Sequence, residues 1–141
     1  MLGGWWGDSP LVFQEYMPEK TLIFEPVAQN RKKLLKTLAR NHISPEKFEL
    51  LPFGLSDSKS TSDGMHFCSL DDIAGEYSIP FGVLKADIEG AGLRFVNGAK
   101  AVIMRDRPLL SVAIYHNQDE FIGIYQTSEH SSIIFWIFLV W

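Results

Sequence analysis

The sequence lacks the features of a secreted or membrane-spanning protein. Its single cysteine, Cys68, excludes an intrachain disulfide and is typical of a reducing compartment, so we expect a cytoplasmic protein. Residues 1–13 have neither the basic start nor the long apolar run of a secretory signal. The longest apolar run, IIFWIFLVW at 133–141, is too short to span a bilayer, which needs ~20 residues. We therefore expect no transmembrane segment and interpret this run as a buried strand. The alternative is a tail that lies on a membrane surface or aggregates.

The sequence also lacks an excess of positive charge and a metal-binding cluster. Its net charge of -4 gives no support to a nucleic-acid partner. No group of His and Cys residues has the spacing of metal ligands, so we expect no metal site. The basic residues that do cluster fall on one predicted helix, which is more often a solvated face than a phosphate-binding patch. They are Arg31, Lys32, Lys33, Lys36 and Arg40.

Strand-like and helix-like segments alternate along the chain. Apolar runs rich in strand formers predict strands at 21–26, 48–57, 80–87 and 107–116. Helical spacing or capping residues predict helices over 8–17, 27–42, 92–106 with an interruption at Gly98, and 117–126, and Ser69 opens a short helix with SLDD. The polar segment SDSKSTSDG predicts a loop. This alternation predicts a single domain over 1–141 with a doubly wound, mostly parallel α/β sheet.

Polar side chains follow each predicted strand. Glu25 ends the first, Ser56 and Asp57 follow the second, Asp87 and Glu89 the third, and His116 the fourth. In open parallel sheets, ligands bind outside the carboxyl ends of the strands. A strand-end acid such as Glu25 can accept both hydroxyl hydrogens of a ribose, from a dinucleotide or from S-adenosylmethionine. Asp57 is equally well explained as a turn residue or as an adenine contact.

Five motifs follow one another along the chain: FEP at 24–26, GLSD at 54–57, SLDDI at 69–73, LKADIEGAGLRFVNGA at 84–99 and RPLLSVAIYHNQDEF at 107–121. Taken together and in this order, they resemble the FkbM family of S-adenosylmethionine-dependent methyltransferases. The combination of FEP, LDD and K-x-D-x-E-G is more specific than any one piece. The resemblance implies a class I methyltransferase (Rossmann-like) fold and O-methylation of a hydroxyl on a sugar or natural product.

The resemblance also implies a set of site residues. Asp87 is the candidate for orienting the acceptor or acting as base, with His116 as the alternative base, and Glu89 is expected to favour the start of the following helix. The carboxylates at this edge of the sheet would lower the cost of binding the cationic methionine end of the cofactor. The implied cofactor-binding residues are Gly4, Gly7, Asp8, Ser9, Glu25, Pro26, Ser56, Asp57, Asp87 and Glu89.

The sequence departs from the family pattern at both ends. GGWWGDS at 3–9 matches the second half of the glycine loop, the expected aspartate falls on Met1, and the strand before it is absent. Gly92 replaces a second glutamate, and 127–141 resembles nothing in the family. We therefore expect the chain to bind S-adenosylmethionine weakly, and better once an apolar strand ending in Asp precedes Gly3. Unpaired strand edges would also favour self-association.

Two alternatives remain open. A nicotinamide-dependent oxidoreductase would share the fold and Glu25, but it needs a G-x-G-x-x-G loop, and only Gly4 and Gly7 have useful spacing. A truncated, non-catalytic remnant of a methyltransferase is the second. Protection against thermal unfolding by S-adenosylmethionine, by NAD or by neither distinguishes the three.

Overall fold

The computed structural model describes residues 11, 19–77, 80–88, 90–113 and 122–124, and the backbone of 135–136. Its strands are β1 Thr21–Phe24, β2 Phe48–Leu51, β3 Phe53–Leu55, β4 Ser60–Ser62, β5 Met65–Cys68, β6 Val83–Ala86, β7 Leu109–Val112 and β8 Phe135–Trp136. Its helices are α1 Ala28–Arg40, α2 Leu70–Ile73, α3 Gly92–Asn97 and α4 Lys100–Asp106. Short 3-10 turns cover Pro45–Lys47 and Ala74–Glu76. Two helices were predicted, at 8–17 and 117–126, and most of their residues lie outside the described part of the chain.

Strand β1, helix α1 and strand β2 form a parallel β-α-β unit. Strands β1 and β2 pair in parallel, with Thr21 opposite Phe48 and Phe24 opposite Leu51. Apolar side chains recur at helical spacing along α1, so Leu34 and Leu38 are buried against Ile23 of the strand. The predicted strand and helix at this position are therefore confirmed, and the pairing directs the carboxyl end of β1 into the turn that starts α1.

Strands β6, β7 and β8 form a second parallel set. Strand β7 lies between β6 and β8, and Leu110 pairs with both Leu84 and Phe135. Helices α3 and α4 connect β6 to β7, as the interrupted helical pattern predicts. The strand predicted in the apolar tail is confirmed at 135–136, and it borders β7 on the side away from β6.

The polar segment 56–64 is a loop only in part. Residues 56–59 contain no strand, as predicted, but Ser60–Ser62 forms β4, the first strand of a hairpin. Strands β4 and β5 pair with each other and are joined by Asp63 and Gly64. The φ angles of these two residues, 50° and 73°, lie in the left-handed region. An Asp-Gly pair is favoured in such two-residue turns. The Oγ1 of Thr61 and the Nδ1 of His66 are 3.1 Å apart across the hairpin. Strand β5 lies between β3 and β4 in a three-stranded sheet.

Contacts divide the described residues into two compact units. The first holds the described residues up to Gly54 together with Thr61–His66, and the second holds Leu55–Ser60 and the described residues from Phe67 onward. The buried residues of the first unit include Ile23, Leu34 and Leu38, which pack together. The second unit buries Phe95, Val96 and Val102 from its helices and Leu84 and Leu110 from its strands. The expectation of a single domain stays a prediction.

Asp106, the last residue of α4, is hydrogen-bonded to the segment that leads into β6 within the second unit. Its side chain is 4% exposed, and its Oδ2 accepts a hydrogen bond from the backbone N–H of Phe81 at 2.9 Å. Both carboxylate oxygens also accept hydrogen bonds from the Arg105 guanidinium, at 2.6 and 2.8 Å. The hydrogen bonds from Arg105 lower the pKa of Asp106 below its ordinary 3.8, against the opposing effect of burial.

Asp106→Asn should destabilise the protein at neutral pH. The expected loss is about 1 kcal/mol, the difference between hydrogen bonds to a charged and to a neutral acceptor. Because folding lowers the pKa of Asp106, its contribution is fully present above the ordinary pKa of 3.8 and is lost as the pH falls through the lowered value. Chemical denaturation at neutral and stepwise lower pH should therefore show the two proteins converging in acid.

Asp63→Asn is the control for this series. Asp63 has a φ of 50°, a conformation that Asn also adopts readily. Its stability should follow that of the unsubstituted protein at every pH. An Asp106→Asn protein that matches both at neutral pH would show that the charge on Asp106 adds nothing measurable to the strength of these hydrogen bonds.

Candidate functional site

Glu25 is a buried carboxylate at the carboxyl end of a parallel strand. It follows β1 directly, is 4% exposed, and donates its backbone N–H to the carbonyl oxygen of Leu51 at 3.1 Å. This bond continues the β1–β2 pairing by one residue and fixes where the side chain leaves the sheet. A buried carboxylate is costly unless hydrogen-bond donors surround it. Its location matches the sequence prediction for the strand-end acid.

The donors around Glu25 come from the start of helix α1. The Oε1 of Glu25 accepts a hydrogen bond from the backbone N–H of Val27 at 2.9 Å and one from Asn30 Nδ2 at 3.4 Å. Arg31 Nη1 donates to the backbone carbonyl oxygens of Glu25 and Pro26, at 2.9 and 2.7 Å. Arg31, which the sequence assigned to a solvated basic face, is therefore half-buried and fixes the FEP turn. In the sequence, the only signal for this role was the position of Arg31, six residues after Glu25.

Ser56 and Asp57 lie in the turn that follows β3. Ser56 is 7% exposed and donates its backbone N–H to the carbonyl oxygen of Cys68 at 2.9 Å. The Oδ1 of Asp57 accepts hydrogen bonds from the hydroxyls of Ser56 and Ser58, at 3.3 and 3.0 Å. Asp57 itself is exposed. The strand-end turn is thus anchored through Ser56 and presents the Asp57 carboxylate at its surface.

Gly98 packs against this turn so closely that a side chain cannot fit. A Cβ built on Gly98 would lie 1.9 Å from the carbonyl oxygen of Ser56 and 2.9 Å from the Cα of Asp57. The atoms in the way belong to the backbone and cannot rotate aside. Position 98 between α3 and α4 therefore requires glycine for a steric reason, which the sequence pattern alone did not reveal.

The SLDD motif contains a residue whose role the sequence did not reveal. Ser69 caps α2 as predicted, since its Oγ accepts a hydrogen bond from the backbone N–H of Asp72 at 3.1 Å. Asp71 instead accepts from the backbone N–H groups of Ala101 and Val102, at 3.0 and 2.9 Å. Its own N–H donates to the carbonyl oxygen of Gly98 at 3.0 Å. The LDD and NGA motifs therefore interact directly.

Asp87 follows β6 and is exposed to solvent. The chain then turns through Ile88, whose carbonyl oxygen accepts the backbone N–H of Ala91 at 2.9 Å, and Gly90, whose φ is 85°. Because Asp87 is exposed, no burial cost opposes its charge. Asp87 therefore remains a candidate site residue because of its position at the end of β6.

The remaining predicted site residues lie outside the described residues. They are Gly4, Gly7, Asp8, Ser9, Glu89 and His116.

Within the described residues, no three His, Cys, Asp or Glu side chains are grouped closely enough to hold a metal ion. None of the helices in the described part of the chain has the length and apolar character to cross a membrane. Burial raises the pKa of the Cys68 thiol, which favours its neutral form.

Comparison with known proteins identifies the fold. A scan of protein-family models and a search of curated proteins found no match to this sequence. Among solved structures, the methyltransferase FkbM from Methylobacillus flagellatus matches this chain with a TM-score of 0.77. The chain has an FkbM methyltransferase-like fold. The match covers 89% of this chain at 20% sequence identity, a level at which similarity establishes the fold alone.

The methyltransferase-like fold confirms the predicted fold class and the resemblance that the motifs carry. The parallel pairs β1–β2, β6–β7 and β7–β8 are those expected of a Rossmann-like sheet. The match covers 35% of the solved methyltransferase, so the chain spans about a third of the length of that protein.

Gly98→Ala should destabilise the protein by roughly 1–3 kcal/mol or more, the usual range for overpacking. The φ of Gly98, -84°, suits alanine, so the loss would be steric rather than conformational. Gly75→Ala is the matched control, because a Cβ there has no neighbour within 4 Å. Its stability should change by less than about 0.5 kcal/mol. Urea denaturation measures both, and equal stability of the two variants would contradict the close packing at Gly98.

Proposed function

We propose that the protein is an S-adenosylmethionine-dependent methyltransferase that methylates a hydroxyl group on a sugar or other small molecule. The observation that supports this function best is Glu25, a carboxylate 4% exposed at the carboxyl end of β1 in a methyltransferase-like fold. Ligands of open parallel sheets bind at these strand ends. A buried acid there has a chemical use in holding a ribose, since carboxylate oxygens accept hydrogen bonds from hydroxyl groups.

The surroundings of Glu25 are compatible with ribose binding. Its Oε1 already accepts hydrogen bonds from Val27 and Asn30, which fixes the orientation of the carboxylate. Arg31 holds the backbone carbonyls of Glu25 and Pro26, which keeps the side chain in one position. A pre-oriented acceptor loses less entropy when it binds a ligand.

The proposal gives Asp57 and Asp87 separate roles. Asp57, presented on an anchored turn, contacts the adenine. Asp87, exposed after β6, orients the acceptor hydroxyl and takes its proton. The cofactor supplies an electrophilic methyl group, and the chain's own contribution is to position the acceptor oxygen and to remove its proton. His116 is the alternative base in this proposal.

Glu25→Gln should weaken S-adenosylmethionine binding about ten- to a hundredfold, the equivalent of a lost charge-assisted hydrogen bond. Gln keeps an oxygen that can accept from Val27, so the melting temperature should change little. Glu25→Ala removes that acceptor as well, and should lower both affinity and melting temperature. Isothermal titration is run on the 141-residue chain and on a form in which an apolar strand ending in Asp precedes Gly3.

The matched control is Glu49→Gln in the same unit. Glu49 pairs with Lys20 at 2.6 Å, but both side chains are exposed, at 36% and 43%, so little binding or stability should depend on the pair. Titration with NAD tests the oxidoreductase alternative and should show no binding. If Glu25→Gln binds S-adenosylmethionine as tightly as the unsubstituted chain, Glu25 does not hold the ribose.

Asp87→Asn should reduce methyl transfer strongly while leaving cofactor affinity and melting temperature nearly unchanged. Asn keeps the side-chain shape but cannot take a proton, and an exposed position tolerates the substitution. Release of S-adenosylhomocysteine is measured with a panel of sugar acceptors, and Glu76→Gln, an exposed acid in the same unit, is the control. Normal turnover by Asp87→Asn would leave Asp87 without a catalytic role and make His116 the next candidate.

A further inference from the structure

Asp71 caps a helix that has no cap of its own. Helix α4 begins at Lys100, and Ala99 before it provides no side-chain hydrogen bond. The two oxygens of Asp71 fill that role, one for the N–H of Ala101 and the other for the N–H of Val102. Because these donors would otherwise lack a partner within the helix, both bonds stabilise the first turn of α4.

The same residue holds the segment just before that helix. The backbone N–H of Asp71 donates to the carbonyl oxygen of Gly98 at 3.0 Å. Leu70 and Ala99, the neighbours of these two residues, are 1% and 0% exposed, so both segments are fixed in the core. Asp71 therefore holds the chain on both sides of Ala99, and Gly98 cannot move far without breaking at least one of these bonds.

Gly98 in turn forms the support of the Ser56–Asp57 turn. A Cβ on Gly98 would lie 1.9 Å from the Ser56 carbonyl oxygen, so the two backbones are in direct contact. On the side of Ser56 away from its carbonyl, its N–H is fixed by the bond to Cys68. The position of the Asp57 carboxylate therefore depends on where Gly98 lies.

We propose that Asp71 is a positioning residue for the Ser56–Asp57 turn, acting through Gly98, and that it thereby sets cofactor affinity. The second half of this proposal rests on the proposed function, in which Asp57 contacts the adenine. The LDD motif then serves the cofactor site without touching the cofactor. Its hydrogen bonds and the close contact at Gly98 form one continuous path of backbone contacts within the second unit.

The test compares three variants. Asp71→Asn keeps one acceptor oxygen and so loses one of the two capping bonds, whereas Asp71→Ala loses both. The control is Asp72→Asn, which removes the same charge from the next residue, where the side chain is exposed and the capping bond to Ser69 uses the backbone N–H. If Asp71→Ala fails to fold, Asp71→Asn still provides the graded comparison.

Amide hydrogen exchange of the 141-residue chain provides the readout that needs no ligand. A role confined to capping α4 would speed exchange at Ala101 and Val102 only. The proposal expects Ser56, whose N–H bonds to Cys68, to exchange faster as well, in the order Ala, Asn, then unsubstituted chain. Faster exchange limited to Ala101 and Val102 would overturn the proposal, whatever the protein binds.

Cofactor affinity provides the second readout. Asp71→Asn should weaken S-adenosylmethionine binding between roughly twofold and thirtyfold, the range of effects transmitted through packed networks. In an Asp57→Ala background the same substitution should have no further effect, because the contact that it positions is gone. Additive losses in the double variant would overturn the link to cofactor affinity.

The two readouts separate the two claims. If the unsubstituted chain, with and without the added strand before Gly3, does not bind S-adenosylmethionine, the proposed function fails and the affinity claim fails with it. The exchange rate at Ser56 then still decides whether Asp71 positions the turn. If the cofactor binds and Ser56 exchange is unchanged by Asp71→Asn, the proposed function stands and the positioning role is wrong.

Discussion

The missing side chain at Gly98 is the constraint on which the second unit depends. The backbone at Gly98 contacts the Ser56–Asp57 turn directly, because no Cβ lies between them. The turn after β3 therefore packs closely against the connection between α3 and α4. Asp71 stabilises this contact, because it is hydrogen-bonded to residues on both sides of Ala99. Three motifs that are far apart in the sequence thus act as one structural element: GLSD, LDD and NGA.

Sequence reasoning succeeded where local patterns decide the structure. The strand at Thr21–Phe24, the helix Ala28–Arg40 and the Ser69 cap follow from apolar periodicity and capping chemistry, which act over a few residues. The hairpin at Asp63–Gly64 was within reach, because Asp-Gly is a recognised turn signal, but the polar composition of its first strand, Ser60–Ser62, hid it. That strand is short and fully exposed, so no apolar alternation marks it.

The candidate site was predictable in part. The strand-end positions of Glu25 and Asp57 follow from strand prediction alone, whereas the burial of Glu25 and the exposure of Asp87 depend on tertiary packing. The role of Asp71 depends on contacts thirty and thirty-one residues away, which no local pattern encodes. Arg31 shows the same limit: its charge placed it on a solvated face, and its actual hydrogen-bond partners are the carbonyls of the preceding turn.

Glu25 combines a structural role with a proposed binding role. Its Oε1 orders the start of α1, and the same carboxylate is proposed to hold a ribose. The most direct measurement is a cycle that pairs Glu25→Gln with a cofactor analogue lacking the two ribose hydroxyls, followed by isothermal titration. If the carboxylate contacts the ribose hydroxyls, the analogue binds more weakly than S-adenosylmethionine to the unsubstituted protein, and Glu25→Gln binds both ligands equally. Independent, additive losses would contradict it, because the carboxylate and the ribose hydroxyls would then not be in contact.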